Sequence, residues 1–201
     1  MKMLKLSSIA GAVLAVSAVS FSGAAFADSA AVTAGNAAAR LDFQIVIPRV
    51  LSFRVGNATA GTVDLISFQP TAAQVGTGTA VAATAGSGDL GNGAVTARVI
   101  GNNGQVTISS ATTGALNDGG ANTIPWTEIT TAVTTLTSAA ALPAPVLSTG
   151  TAVNAPAPVN NITQADARWT FSYANTTVPR AGSYGGANIR NGRVTYTAAM
   201  P

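Results

Sequence analysis

Residues 41–55 carry the sequence LDFQIVIPRVLSFRV, in which large apolar side chains alternate with polar ones. Successive side chains of a strand point to opposite faces of a sheet, so this alternation predicts a strand with one buried face. Pro48 interrupts the stretch but keeps its parity, and proline has no N–H to donate to a ladder. The sequence therefore predicts two strand segments, with a kink or a switch between sheets at Pro48.

The first segment has two interpretations. In one, both segments are consecutive strands of the same domain. In the other, the first segment is a donor strand that inserts into the next subunit, and Pro48 marks the start of the domain proper. In the second interpretation the first segment is a subunit-contact strand, and the side chains on one of its faces contact the next subunit: Leu41, Phe43, Ile45 and Ile47.

The N-terminus has the pattern of a secretory signal peptide over residues 1–27. Lys2 and Lys5 precede a small and apolar run at 9–21, and Ala-Phe-Ala follows at 25–27 as a cleavage site. A membrane anchor is the alternative, but the run is shorter than the ~20 residues that a span needs. We therefore expect an exported protein at the cell surface or outside the cell, with no membrane span after cleavage.

Composition excludes several classes of function. The chain has no Cys and no His, and its only lysines lie in the signal peptide. Disulfides, zinc sites of the usual kind and His-dependent or Lys-dependent nucleophilic catalysis are therefore excluded. The mature chain keeps eight arginines and seven scattered acidic residues, with no basic run to bind nucleic acid. We expect no enzyme and no cofactor.

The rest of the chain predicts one domain made of short strands. Residues 28–40 are small and polar and predict a flexible leader, and residues 41–201 predict a single domain. Residues 94–110 predict a hairpin, with the turn at the Gly-Asn-Asn-Gly of 101–104. Further strands are predicted at 62–68 (with Val63 and Leu65 inward), 79–83, 123–129, 130–137, 167–173 and 193–198.

Two stretches predict long connections. Residues 71–93 are mostly Ala, Gly and Thr, and residues 138–160 hold four of the nine prolines. A domain boundary in the second stretch is the alternative, but the residues after it are too few for an independent core. With seven to nine strands and no amphipathic helix, the fold class is all-β: an antiparallel two-sheet Ig-like sandwich with Greek-key-type connections.

The sequence offers residues for two kinds of binding site, a calcium site and a carbohydrate site. Asp89 and Asp118 lie in Gly/Asn-rich loops that could bind calcium, but no complete calcium-loop pattern occurs, and these residue types are also ordinary turn formers. Five aromatic side chains could bind carbohydrate, although most of them fall on inward parity and predict core packing: Trp126, Trp169, Tyr173, Tyr184 and Tyr196.

The C-terminal segment resembles the closing segment of secreted bacterial Ig-like modules, the pilin-like and spore-coat-U-like subunits. The resemblance rests on Pro179, Ala181, Gly182 and Tyr184, followed by an alternating last strand at 194–197. It implies a non-catalytic subunit of a fimbria-like or coat-like assembly, in which subunits associate with copies of themselves or with other surface subunits by strand pairing. The alternative is a monomeric surface module that binds a carbohydrate or a protein through loops at one end of the domain.

Overall fold

The computed structural model describes residues 30–148 and 150–201, so the predicted signal peptide lies outside the described residues. The chain divides into two units at the bond between Val46 and Ile47. Residues 30–46 contain no strand, and each of them is exposed. Every strand of the described chain lies in the second unit, 47–201.

The second unit is all-β and antiparallel. Its ten described strands are β1 (Leu51–Val55), β2 (Val81–Ala82), β3 (Ala94–Gly101), β4 (Thr107–Ala111), β5 (Leu116–Asn117), β6 (Thr123–Ile124), β7 (Ile129–Thr134), β8 (Val153–Asn154), β9 (Thr163–Tyr173) and β10 (Thr195–Ala199). One 3₁₀ turn, Trp126–Glu128, precedes β7. Three of the strands predicted from alternation, β3, β4 and β9, are among the longer ones, and the weak strand predicted at 79–83 is confirmed as β2.

Three sheets are formed. The largest has the order β1-β3-β9-β2, and β7 also pairs with β9. The second has the order β10-β4-β8, and β5 pairs with β6 in the third. Strand β9 is the centre of the largest sheet, because Ala94–Gly101 pair with Thr163–Thr170 while Ile129–Thr134 pair with Arg168–Tyr173.

The core is shared by the two larger sheets. Strands β3 and β9 contribute Val95, Ala97, Val99, Ala165, Ala167, Trp169 and Phe171, whereas β4 contributes Ile108 and β10 packs Tyr196 and Ala198 against them. Trp169 is fully buried, and its ring lies 5.4 Å from that of Tyr196. The inward parity predicted for β9 and β10 is therefore confirmed.

The predicted hairpin at 94–110 is wrong in its pairing, although both strands exist. Strand β3 pairs with β1 and β9, whereas β4 pairs with β10 and β8. The turn between them is bonded to other parts of the chain: Asn102 exchanges hydrogen bonds with Val50, and the N–H of Gly104 donates to Asn161. These bonds carry the chain from one sheet to the other.

The predicted strand at 62–68 is also wrong. Only Phe68 forms a bridge, with Ala83, and it is Ile66 and Phe68 that pack on the core. Val63 and Leu65, which were expected to face inward, are exposed. The carboxylate of Asp64 accepts the N–H of Asn57 at 2.7 Å, and this contact holds the start of the segment to the preceding turn.

The strand predicted at 41–47 does not form in this structure, and the alternating stretch becomes a strand only from Leu51. A strand needs a partner edge for its N–H and C=O groups. Residues 30–46 contain no second strand to supply one. Residues 41–46 therefore have no partner strand among the described residues of their own unit.

Candidate subunit-contact site

The four side chains of the predicted contact strand lie in water. Leu41 is 73%, Phe43 86%, Ile45 86% and Ile47 75% exposed. Asp42 and Gln44, on the opposite parity, are exposed as well. The segment thus presents a row of four large hydrocarbon side chains that the described chain does not bury.

A cleft of about 790 Å³ lies in the second unit. Val55 at the end of β1 and Tyr196 of β10 both line it, as do residues 63–70 and 182–188. Strand β1 ends the largest sheet and β10 ends the second sheet, so each is paired on one side only in the described chain. The cleft therefore touches one residue of each of two end strands, and the outer edge of each strand is unpaired in the described chain.

The cleft combines apolar and aromatic side chains with polar groups such as Asp64 and Arg193. Its walls include Val95, Trp126, Leu147, Phe171 and Tyr173, all of which are buried. Tyr184 enters from the Gly-rich turn after Gly182, and its hydroxyl donates to the carbonyl of Arg180 at 2.8 Å.

Tyr173 differs from the other aromatic residues in its polar atom. It ends β9 between Val81 of β2 and Ile129 of β7, so its ring is fixed on the inward face. Its hydroxyl is buried and has no hydrogen-bond partner among the described residues. Burial raises the pKa of this hydroxyl, and the nearby Glu128 carboxylate contributes in the same direction.

The candidate calcium ligands hold turns instead. Asp89 accepts the N–H of Thr96 at 2.8 Å. Asp118 accepts the N–H of Gly120 and the side-chain amide of Asn122, and the bond from Asn122 is the main cause that lowers the pKa of Asp118. Within residues 30–148 and 150–201, no group of three or more Asp, Glu, His or Cys side chains is placed to hold a metal ion.

Of the five aromatic residues considered for carbohydrate binding, Trp169 is core. Its indole N–H donates to the carbonyl of Leu142 at 2.8 Å. Trp126 is buried too and donates to the carbonyl of Gly114. Trp126, Tyr173, Tyr184 and Tyr196 line the cleft, so the structure brings four of the five to one place.

Sequence reasoning missed the cleft and three buried polar anchors. Asp166 accepts hydrogen bonds from Thr137 and Ser138, Glu128 accepts them from Thr176, and the fully buried Asn175 binds the main chain of residues 74–76. The available signals were an acid directly before a strong predicted strand for Asp166 and an Asn two residues after its end for Asn175. Neither signal identifies a partner, because the partners are 28 to 101 residues away in sequence.

Comparison of the chain with protein-family models, with curated proteins and with solved structures finds no match. In the part of the chain that the structure describes, no helix is long and apolar enough to cross a membrane.

Proposed function

We propose that this protein is a non-catalytic, exported structural subunit of a bacterial surface or extracellular assembly, fimbria-like or coat-like, in which subunits join by strand pairing. One observation carries the proposal: Leu41, Phe43, Ile45 and Ile47 alternate on one parity and are exposed by 73–86%. Soluble proteins rarely leave contiguous apolar surface in water unless a partner covers it. A partner that pairs with this segment would cover all four side chains at once.

Burial of the four side chains offsets much of the cost of ordering the segment. Each Leu, Ile or Phe side chain contributes roughly 1.5–3 kcal/mol when it is fully buried. Ordering the backbone of the segment opposes this by roughly 1–2 kcal/mol per residue. Main-chain hydrogen bonds to an open strand edge supply the remainder, so the segment binds well only where an apolar surface and a free edge occur together.

The cleft offers both features on the second unit. Part of its wall is apolar and aromatic, and it touches Val55 of β1 and Tyr196 of β10, two end strands whose outer edges are unpaired in the described chain. We infer that residues 41–47 of one copy lie in the cleft of another. This arrangement buries the apolar parity of the segment and leaves Asp42 and Gln44 toward solvent.

The fold is interpreted as an Ig-like two-sheet sandwich with Greek-key-type connections. Strands β3 and β4 follow each other in sequence but belong to different sheets, and the two sheets contribute to one core. Connections of this kind are typical of Greek-key sandwiches. The signal peptide pattern at 1–27 supports export to the cell surface or beyond.

The second candidate is a monomeric binding module for a carbohydrate or a protein ligand. The observation in its favour is the cleft itself, whose volume lies in the usual range for ligand sites and whose walls include Trp126 and Tyr184. In this case the cleft takes an outside ligand and the exposed segment has no role in assembly.

A matched pair of substitutions tests the proposal. Phe43→Asp removes an apolar side chain from the contact parity, whereas Gln44→Asp adds the same charge one residue later on the opposite parity. Because Phe43 is 86% exposed, F43D should leave the fold intact, with an unfolding midpoint within the error of wild type. The loss of the buried Phe alone should weaken association by at least tenfold.

Size-exclusion chromatography and negative-stain microscopy of the mature protein measure the outcome. We expect polymers for wild type and Q44D and folded monomers for F43D. Monomeric wild-type protein at all concentrations would overturn the assembly role, and binding of that monomer to a glycan array would favour the second candidate. An unfolded F43D chain would show that the segment belongs to the core of its own domain.

A further inference from the structure

Arg54 of β1 faces a residue of like charge. Its cross-strand neighbour on β3 is Arg98. Both lie on the face of the sheet that is turned away from the core, because Phe53 of β1 and Val99 of β3 pack on the core from the opposite parity. Like charges directly opposite each other destabilise a sheet. A carboxylate on the other side of Arg54 would offset this repulsion.

The acidic residues near this pair are bound to other groups. Asp166 of β9 lies opposite Arg98, and both of its carboxylate oxygens accept hydrogen bonds from Thr137. Asp89 accepts an N–H of β3. The Nε atom of Arg54 has no hydrogen-bond partner among the described residues. That atom is enclosed, so a carboxylate from outside has to bind the terminal Nη groups of this partly exposed side chain.

The hydrogen bonds between β1 and β3 determine which main-chain groups of β1 remain for a partner. The N–H of Gly56 donates to the carbonyl of Thr96 at 2.7 Å, and the N–H of Asn102 donates to that of Val50 at 3.2 Å. The bonded pairs of an antiparallel ladder alternate, so the even-numbered residues of β1 bond to β3. The N–H and C=O groups of the odd-numbered residues therefore point to the outer edge, which is unpaired in the described chain.

An antiparallel strand added at this edge would bond to Leu51, Phe53 and Val55. Arg54 would then face the new strand in a non-hydrogen-bonded pair, the kind of pair in which opposing side chains are closest. The side chains of Leu51, Phe53 and Val55 pack on the core, but each of them is partly exposed. The edge of β1 thus offers hydrocarbon on one face and a cation on the other.

We propose that residues 41–45 of a second copy add to this edge as an antiparallel strand, with Asp42 directly opposite Arg54. The inference rests on the proposed function, and it names the strand that receives the segment and the register of the pairing. Leu41 then lies opposite Val55, the residue of β1 that lines the cleft. The rest of the segment runs from the cleft along β1 toward the start of that strand.

This register brings matching faces together. Phe43 lies opposite Phe53 and Ile45 lies opposite Leu51, on the face that is turned to the core. On the outer face, the carboxylate of the segment meets the guanidinium of β1. Directly opposed residues of paired strands share a face, so a single register covers the hydrocarbon and supplies the missing negative charge.

The neighbouring registers lack this charge pair. A shift of one residue turns the apolar parity of the segment away from the core. A shift of two residues keeps the parity, but it puts Arg40 opposite Arg54 in one direction and Gln44 in the other. The first shift adds a third positive charge beside Arg98, and the second leaves the repulsion uncompensated.

Strand β10, the other end strand at the cleft, has no charge to offer. Its outward residues are Thr195, Thr197 and Ala199, since Tyr196 and Ala198 pack on the core. Charge complementarity to Asp42 therefore selects β1.

The test uses the full mature chain with Phe43→Asp as acceptor, so that its own segment does not compete. The probe is a dye-labelled synthetic peptide of residues 38–50, and fluorescence anisotropy gives the Kd. Asp42→Arg in the peptide exchanges attraction for repulsion and should weaken binding about three- to tenfold. When Arg54→Glu is added to the acceptor the preference should invert, so that the Asp42→Arg peptide binds more tightly than the wild-type peptide.

Arg168→Glu in the acceptor is the matched control. Arg168 is exposed on the same face of the sheet, but it lies on β9, two strands away from the edge of β1. The same change of net charge there should alter the ratio of the two Kd values by less than about twofold. Thermal unfolding shows whether each acceptor is folded. Arg54→Gln is the second variant, since it removes the charge without adding one, and it should bring the ratio to within about twofold of one.

Cysteine cross-linking measures the register independently of charge. The chain has no cysteine, and Ser52 is exposed on the outer face of β1. In the proposed register Ser52 lies opposite Gln44, in a non-hydrogen-bonded pair that is close enough for a disulfide. Under mild oxidation, a Ser52→Cys acceptor should therefore cross-link faster with a Gln44→Cys peptide than with Asp42→Cys or Val46→Cys peptides. A Thr197→Cys acceptor, which carries its thiol on β10, should cross-link more slowly with each of these peptides.

The outcomes distinguish the two proposals. If the peptide does not bind the Phe43→Asp acceptor at all, strand insertion and the assembly role fall together. If the peptide binds but the wild-type sequence is still preferred by a folded Arg54→Glu acceptor, the pairing of Asp42 with Arg54 is refuted while the assembly role stands. Cross-linking that is fastest to Thr197→Cys would likewise overturn the inference, since it would assign the segment to β10.

Discussion

Replacement of Asp166 by Asn tests whether one carboxylate fixes the connection after β7 to the flank of β9. Asp166 is 9% exposed, and its carboxylate accepts the N–H groups of Thr137 and Ser138, each at 2.9 Å, and both of their hydroxyls. These bonds lower the pKa of Asp166, the hydroxyl of Thr137 being the largest cause. An Asn side chain keeps one acceptor oxygen but loses the charge and the second acceptor.

The expected loss follows from the hydrogen bonds and from proton linkage. Hydrogen bonds to a charged group contribute about 1.5–3 kcal/mol, so D166N should lower the free energy of unfolding by about that much at pH 7. Because the pKa is lower in the folded state than its ordinary value of 3.8, the contribution is complete well above pH 3.8 and is lost as the pH falls. Between pH 7 and pH 3 it should shrink by roughly 1 kcal/mol.

Urea unfolding followed by the fluorescence of the two buried tryptophans measures both numbers. Wild type and D166N are compared at pH 7 and pH 3, and the difference between them is the quantity of interest. Asp118→Asn is the control, because that carboxylate holds an exposed turn and should matter less. A difference between wild type and D166N that is the same at both pH values would refute the linkage, because the charge would then not be its source.

Two further substitutions probe the backbone around the cleft. Gly93→Ala should destabilise the domain by about 1–3 kcal/mol more than Gly61→Ala. Both glycines have φ near +80°, but only at Gly93 would a new Cβ meet Ala83, at 2.6 Å. Equal thermal unfolding midpoints for the two variants would contradict this prediction. Asn175→Ala should cost about 3 kcal/mol, since the side chain is fully buried, accepts the N–H of Gly76 and sits at φ +58°. Asn175→Gly should recover about 1 kcal/mol of this by relieving the backbone, and urea unfolding that shows no recovery would assign the whole loss to the side-chain bonds.

The positions of several strands could be predicted from the sequence. Alternation located β3, β4 and β9, and it gave the inward face of β9 through Trp169 and Phe171, because a period of two is a property of each strand alone. The partners could not be predicted in the same way. The turn at residues 101–104 has ideal hairpin composition, yet Asn102 bonds to Val50, about fifty residues earlier, and the chain changes sheets.

In the candidate site, too, only the local part could be predicted from the sequence. Its exposed segment is visible as a pattern in residues 41–47, because local alternation suffices to define a strand-like apolar row. Two irregular stretches that lie far apart in the sequence, 63–70 and 182–188, both line the cleft. Alternation predicted a strand in the first stretch and placed Val63 and Leu65 on the wrong face. The sequence could not show that the Asp64 carboxylate accepts the N–H of Asn57.

Two incomplete features of the chain have complementary deficits. Residues 41–47 have apolar side chains and main-chain groups, but the side chains are exposed and the segment forms no strand in the described chain. The cleft has a partly apolar wall and touches two end strands, β1 and β10, whose outer edges are unpaired in the described chain. Each deficit raises the free energy of the isolated chain, and a single intermolecular contact would remove both. The proposed association by this contact would therefore have a driving force that neither feature supplies alone.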